Sequence, residues 1–235
     1  MFHVKHFLKG GIDLPIYNSV LKQIDPIETK RYAGLGKVDF NETLIQKACL
    51  EAQLLAEPKG IWQIYSYNAC SYKVESTPEF LISGEKIRKH LTQAAKVIIL
   101  AVTIGEAIEK QITAYFKEGE YSYSLLLDAA ATTAVEQAAD EVEKTIKQYI
   151  TVKGYQTIWR FSPGYGDWDI RFQPEMLRLS GAKDIGINLT ESMMLMPRKS
   201  ITAIIGLVPN SNEKNEIKKS CSTCSKQDCL ARRSN

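Results

Sequence analysis

Arg160 stands four residues before Gly164 in the run Trp159-Arg160-Phe161-Ser162-Pro163-Gly164-Tyr165-Gly166-Asp167-Trp168. A guanidinium fork matches a carboxylate through two parallel hydrogen bonds. Pro163 and the two glycines let the chain bend sharply and bring its backbone close to a ligand. Strand alternation predicts Tyr155, Trp159 and Phe161 on one face and Ile158, Arg160 and Ser162 on the other. An aromatic face is a core face, so Arg160 is expected to point away from that core, beside the turn. The alternative is a Pro-Gly turn with a solvated arginine and packed aromatics.

Two further groups of residues carry potential chemistry. Thr190-Glu191-Ser192 precedes Met193, Met194, Leu195, Met196, Pro197, Arg198, Lys199 and Ser200. Methionines beside a polar turn suit either an adaptable apolar pocket or gap-filling core, and composition favours core. Cys221, Cys224 and Cys229 crowd a basic tail. Closely spaced thiolates suit an iron–sulfur cluster or zinc, with a fourth ligand drawn from Cys49, Cys70 or a second molecule. The competing reading is a flexible tail with redox-labile thiols.

Charge and hydropathy narrow the class. Of 30 basic and 27 acidic residues in the 235-residue chain, six and three fall in 209–235, leaving 24 of each in the body. A neutral body disfavours a nucleic-acid binder, whose affinity rests on phosphate neutralisation. No apolar run approaches the roughly 18 to 20 residues that span a bilayer, and the start MFHVKHFLKGG has no signal-peptide core. No membrane association and a cytoplasmic location are expected. Five cysteines are too few for a disulfide scaffold.

The elements that must position these residues follow from periodicity. Asn41 is expected to cap a helix through Leu44, Ile45, Ala48, Ala52 and Leu55, ended by Pro58. Ile61 to Tyr67 reads as a strand, and Ser83 as the cap of a second helix. Val97 to Val102 has the unbroken apolar character of a strand buried on both faces. It runs into Thr103-Ile104-Gly105-Glu106, a capping-box pattern. Leu125 to about Ile150 is the longest helix, its many alanines allowing close approach. Tyr155 to Ser162 reads as a strand, and a short helix follows Pro174. Strands are expected at Ile187–Leu189, Met193–Met196 and Ile201–Val208, the last two joined as a hairpin across Pro197–Ser200. The fold class is α+β, with a mixed, mostly antiparallel twisted sheet and several helices. The chain divides into an N-terminal segment 1–40 with an extended piece near Ile12–Tyr17, a body 41–208 and the tail 209–235.

The order of these motifs resembles a known family. Thr133-Ala134-Val135-Glu136 in the alanine-rich helix comes first, then Arg160-Phe161-Ser162-Pro163-Gly164-Tyr165, then Leu189-Thr190-Glu191-Ser192-x4-Pro197-x2-Ser200. This is similar to the activation domain of cobalamin-dependent methionine synthase, here as a free-standing chain. The resemblance implies S-adenosylmethionine binding. Arg160 would hold the ligand carboxylate, the Ser162 and Gly164 backbone would contact the adenosyl part, and Tyr165 would lie between that site and the corrin. Glu136 would face the ligand's cationic end, with Glu191, Ser192 and Ser200 in the pocket. The structural alternative for Glu136 is a solvated helix stripe shared with Asp128 and Asp140. The resemblance also implies a corrinoid-carrying partner, a methionine synthase or another methyltransferase, and an electron donor such as a flavodoxin or ferredoxin. In that family inactive cobalt(II) is reduced to cobalt(I) and methylated by S-adenosylmethionine. A second class of function is a corrinoid- or metal-handling binding module that has lost methyl transfer. The chain departs from the family at Asn210-Ser211-Asn212, where a tyrosine pair is expected, and in the first forty residues, where an acidic ligand is expected.

Overall fold

The computed structural model describes residues 3–9, 12–18, 21–36 and 38–210. Its centre is β6 (Lys96–Thr103), which alternates between two cores: Ile98, Leu100 and Val102 point to one side, Val97 and Ile99 to the other. Such a strand has no solvated face, which is why its sequence is apolar without interruption. β6 is flanked by β3 (Lys59–Asn68) and β10 (Ser200–Pro209), each antiparallel to it over eight residue pairs. Beyond β3 come β2 (Ile12–Asn18) and then β1 (His3–Lys9); beyond β10 lies β7 (Tyr155–Thr157). Short strands β4 (Lys73–Val74) and β5 (Phe80–Leu81) extend from the end of β3. Every ladder is antiparallel, and the architecture is α+β.

One face carries α1 (Pro26–Tyr32), α2 (Glu42–Leu55), α4 (Ala107–Lys117) and α5 (Tyr121–Thr151). Ala130, Ala131, Ala134, Ala138 and Ala139 bring α5 down onto its neighbours, and all are buried. The other face carries α3 (Glu85–His90) and α6 (Gln173–Ser180), packed with Phe80, Phe161 and Trp168. Asn41 caps α2 as expected, its side-chain oxygen accepting from the amides of Thr43 and Leu44 at 3.0 and 3.3 Å.

Three local expectations are corrected. Thr103 does not cap α4; it ends β6, and its hydroxyl accepts from the Gly105 amide (3.2 Å) and from Ser200 Oγ (2.8 Å). Gly105, at φ +80°, separates strand from helix, so no capping box closes. The cap of α3 is not Ser83 but Asp167, whose carboxylate accepts from the amides of Glu85 (2.6 Å) and Lys86 (3.1 Å). Finally, the hairpin joins β8 (Asn188–Leu189) to β9 (Leu195–Met196) through the Thr190–Met193 turn, while β10 pairs with β6 instead. Thr190 makes that turn, its amide bonding the Met194 carbonyl and its hydroxyl accepting the Met194 amide.

Candidate functional site

The segment after β7 contains a break that decides where its side chains go. The Ile158 amide donates to the Gly206 carbonyl at 3.0 Å, whereas Phe161 and Ile204 exchange both their hydrogen bonds at 2.9 and 2.8 Å. Three steps along one strand therefore match two along β10, which is a β-bulge at Trp159-Arg160. One extra residue reverses side-chain parity. The expected grouping of Tyr155 with Trp159 and Phe161 is thus wrong: Tyr155 packs with the α5 core, while Ile158, Trp159 and Phe161 pack with α3 and α6. Gly206 makes this possible, because a Cβ there would lie 2.5 Å from Ile158 Cδ1.

Arg160 points away from the aromatics, as expected, but towards α5 rather than solvent. Its Nη1 donates to Asp140 Oδ1 (2.6 Å) and Glu143 Oε2 (2.8 Å), and its Nη2 to Glu136 Oε2 (2.7 Å). Its side chain is only 17% exposed. Burial by itself would lower its pKa, but Asp140, Glu136 and Glu143 outweigh burial and hold it above the ordinary arginine value. Arg160 thus bonds three carboxylates of one helix. The sequence points to Arg160 and, through the resemblance, to Glu136; Glu143 is not among its candidates, and Asp140 enters only in the alternative of a solvated helix stripe. The signal was the spacing of Glu136, Asp140 and Glu143 by four and three residues, which stacks them on one helix face. Further up the same helix, Lys199 Nζ binds Asp128 Oδ1 (2.9 Å) and Thr132 Oγ1 (2.8 Å).

The turn that follows is held largely by itself. The Tyr165 amide donates to the Ser162 carbonyl (3.2 Å), and the Gly164 amide to the Trp168 carbonyl (2.7 Å). Gly164 needs its glycine, since φ is +91°. The Ser162 carbonyl and Gly164 amide are therefore engaged within the turn, while the Tyr165 ring is 67% exposed beside it. Ser200 begins β10, four residues from Ile204, or roughly 13 Å along the strand, and its hydroxyl is tied to Thr103. Glu191 and Ser192 are exposed at the tip of the β8–β9 hairpin, with Ser192 Oγ 2.9 Å from Thr190 Oγ1. The fold thus brings Arg160 onto Glu136 just before the Ser162–Tyr165 turn, while Ser200 sits at the start of β10 and Glu191 and Ser192 on the β8–β9 hairpin.

Met194 and Met196 are 56% and 42% exposed, so the methionine run is not core. Met196, Pro197 and Arg198 instead line a cleft of about 930 Å3 with Thr103, Glu109 and Lys110; Arg160 is not among its walls. Each carboxylate there meets one base, Glu106 with Lys110 at 2.6 Å, Glu109 with Arg198 at 3.4 Å and Glu57 with Lys59 at 3.7 Å, and Lys117 adds a fourth cation to the wall. Glu109, the buried member, also accepts the Lys199 amide at 2.7 Å.

Cys221, Cys224 and Cys229 lie outside the described residues. Cys49 is buried with its thiol 3.4 Å from Thr29 Oγ1, and burial raises its pKa, whereas Cys70 is exposed. Among the described residues no group of three or more His, Cys, Asp or Glu is arranged to hold a metal ion, and no helix is long and apolar enough to cross a membrane.

Comparison with known proteins agrees with this fold. Residues 87–220, more than half of the chain, match the family described as vitamin B12 dependent methionine synthase, activation domain, and the chain belongs to that family. Among solved structures, the crystal structure of the MetH reactivation domain bound to AdoHcy superposes with a TM-score of 0.57 at 13% identity. The match covers 86% of this chain and 80% of that one, a likeness of fold. No curated protein matches.

Proposed function

We propose that this chain binds S-adenosylmethionine at the Arg160 bulge and presents it to a corrinoid carried by a partner, a methionine synthase or another corrinoid methyltransferase. The observation that carries this reading is the grouping on the family-matching segment of a mostly buried guanidinium with Glu136, Asp140 and Glu143, all within 2.8 Å. S-adenosylmethionine has the complementary set, a carboxylate with an ammonium and a sulfonium. Its carboxylate would replace one side-chain carboxylate on Arg160, and the released acid would meet the ligand's positive end. Ion pairs are then exchanged rather than lost, so the desolvation cost of opening the network stays small. When bound, S-adenosylmethionine supplies a sulfonium methyl for cobalt(I), the electron that makes cobalt(I) from cobalt(II) coming from an outside donor such as a flavodoxin or ferredoxin. What the chain contributes is orientation, which can be worth roughly 7 to 11 kcal/mol of effective concentration. Arg160 and Glu136 hold the amino-acid end, and the exposed Tyr165 ring stands where the partner's corrin would arrive.

Isothermal titration of the full chain with S-adenosylmethionine tests the site. Binding is expected, weakened about 10- to 100-fold in Arg160→Ala, the worth of a charge-assisted pair. Absence of binding, or an unchanged Kd in Arg160→Ala, overturns the assignment. Methyl transfer is tested with a cobalt(II) corrinoid protein, a reductant and methyl-labelled S-adenosylmethionine, the label being expected on the corrinoid. A second reading, a corrinoid- or metal-handling binding module that has lost methyl transfer, is favoured by Asn210-Ser211-Asn212 standing where the family has a tyrosine pair, and ligand binding with no label transferred would support it. A relay role for Cys221, Cys224 and Cys229 predicts iron–sulfur absorption in anaerobically purified protein; a colourless, metal-free sample ends that idea.

A further inference from the structure

A bulge lifts a residue out of the strand ladder, and its backbone groups must find partners elsewhere. At Trp159 the carbonyl is taken by His90, whose Nε2 lies 2.8 Å away. A carbonyl only accepts, so Nε2 carries the proton. The imidazole also lies against the Trp159 indole, with ring centroids 3.9 Å apart and a tilt of 46°, and 5.6 Å from the Phe161 ring. Burial lowers the pKa of His90, the bond to Trp159 opposing it in part, which favours the neutral ring. The far end of the loop is held by the same helix, Asp167 sitting on the amides of Glu85 and Lys86. A Cβ on Gly166 would lie 2.9 Å from Lys86 Cδ, so the turn rests directly on α3. This six-residue helix therefore grips the Arg160 segment on both sides.

We infer that His90 is a positioning residue for Arg160. By holding the Trp159 carbonyl it fixes the bulge, and the bulge aims the guanidinium at Glu136, Asp140 and Glu143. For ligand binding this rests on the S-adenosylmethionine reading given above; for the aim of Arg160 it does not. The full chain is compared with His90→Gln, which keeps an N–H donor, and His90→Phe, which keeps a ring and loses the donor. Two readouts are taken: the guanidinium proton signals of Arg160 in 15N-labelled protein, and the Kd for S-adenosylmethionine. His90→Gln is expected to keep the Arg160 signals and bind within about threefold of wild type. His90→Phe should shift the signals and weaken binding roughly tenfold or more, the cost of a loosened support. His90→Phe unchanged in both readouts, or the two variants falling equally, overturns the assignment. Should His90→Phe not fold, the 15N shifts of the wild-type imidazole decide: the Nε2–H form supports the role and the Nδ1–H form refutes it. A wild type that binds no S-adenosylmethionine while His90→Phe shifts the Arg160 signals refutes the ligand reading alone.

Discussion

The Arg160 bulge and the cleft beside α4 are opposites in design. The cleft offers about 930 Å3, with four cations and three carboxylates on its wall meeting in separate pairs, and its arginine is 54% exposed, loosely held at 3.4 Å. The bulge lines no part of that cleft, yet it gathers three carboxylates on one mostly buried guanidinium. Volume measures what a site has room for, whereas convergent charged groups measure what a charged ligand could exchange with. At the bulge three carboxylates converge on one guanidinium, whereas in the cleft each carboxylate meets its own base, and mutation can set the two regions against each other.

The largest effect should come from Arg160→Ala. Removing the guanidinium takes a hydrogen-bonded partner from Glu136, Asp140 and Glu143 at once, and a broken buried pair costs roughly 3 to 5 kcal/mol. Because the carboxylates are partly exposed, about 2 kcal/mol is expected in urea unfolding, together with the loss of S-adenosylmethionine affinity. Arg198→Ala should cost under about 0.5 kcal/mol, as exposed pairs do, and leave ligand binding unchanged. The reverse pattern would move the ligand into the cleft.

Next in size is Gly206→Ala. The new methyl meets Ile158 Cδ1 at 2.5 Å and Leu91 Cδ2 at 3.0 Å, so one of them must shift. Overpacking of this kind costs roughly 1 to 3 kcal/mol. It should also disturb the bulge, visible as a change in the Arg160 signals; a variant as stable as wild type would show that Ile158 yields freely.

A smaller effect concerns pH. The folded-state pKa of His90 lies below its ordinary 6.5, so the unfolded chain binds more protons between the two values. Its contribution to stability is present above about pH 6.5 and is lost as the pH falls through the lower folded value. The slope of unfolding free energy against pH just below 6.5 should therefore flatten in His90→Gln. An identical slope in both proteins would mean that His90 titrates normally.

The legibility of the chain varied with the range of the interactions involved. Asn41, the β6 apolar run and the alanine-rich α5 were readable because caps, two-sided burial and helical spacing are properties of neighbouring residues. The cap of α3 was not, because Asp167 lies 82 residues from Glu85. Nor was the β8–β9 hairpin: the Met-rich strand and β10 are adjacent in sequence, but β10 fills a central place in the sheet beside β6. For the site, residue types alone picked Arg160 and the Pro-Gly turn, and the family resemblance added Glu136. Period-two reasoning then failed at Trp159, because nothing local announces a bulge.

What the amino-acid sequence determined by itself was the α+β class, most of the elements and the arginine-turn motif, all set by local periodicity and residue chemistry. Tertiary structure alone decided which way Arg160 faces and what it meets. A single inserted residue reverses every side chain after it, and that insertion is held by a histidine 69 positions before Trp159 and accommodated by a glycine on the neighbouring strand.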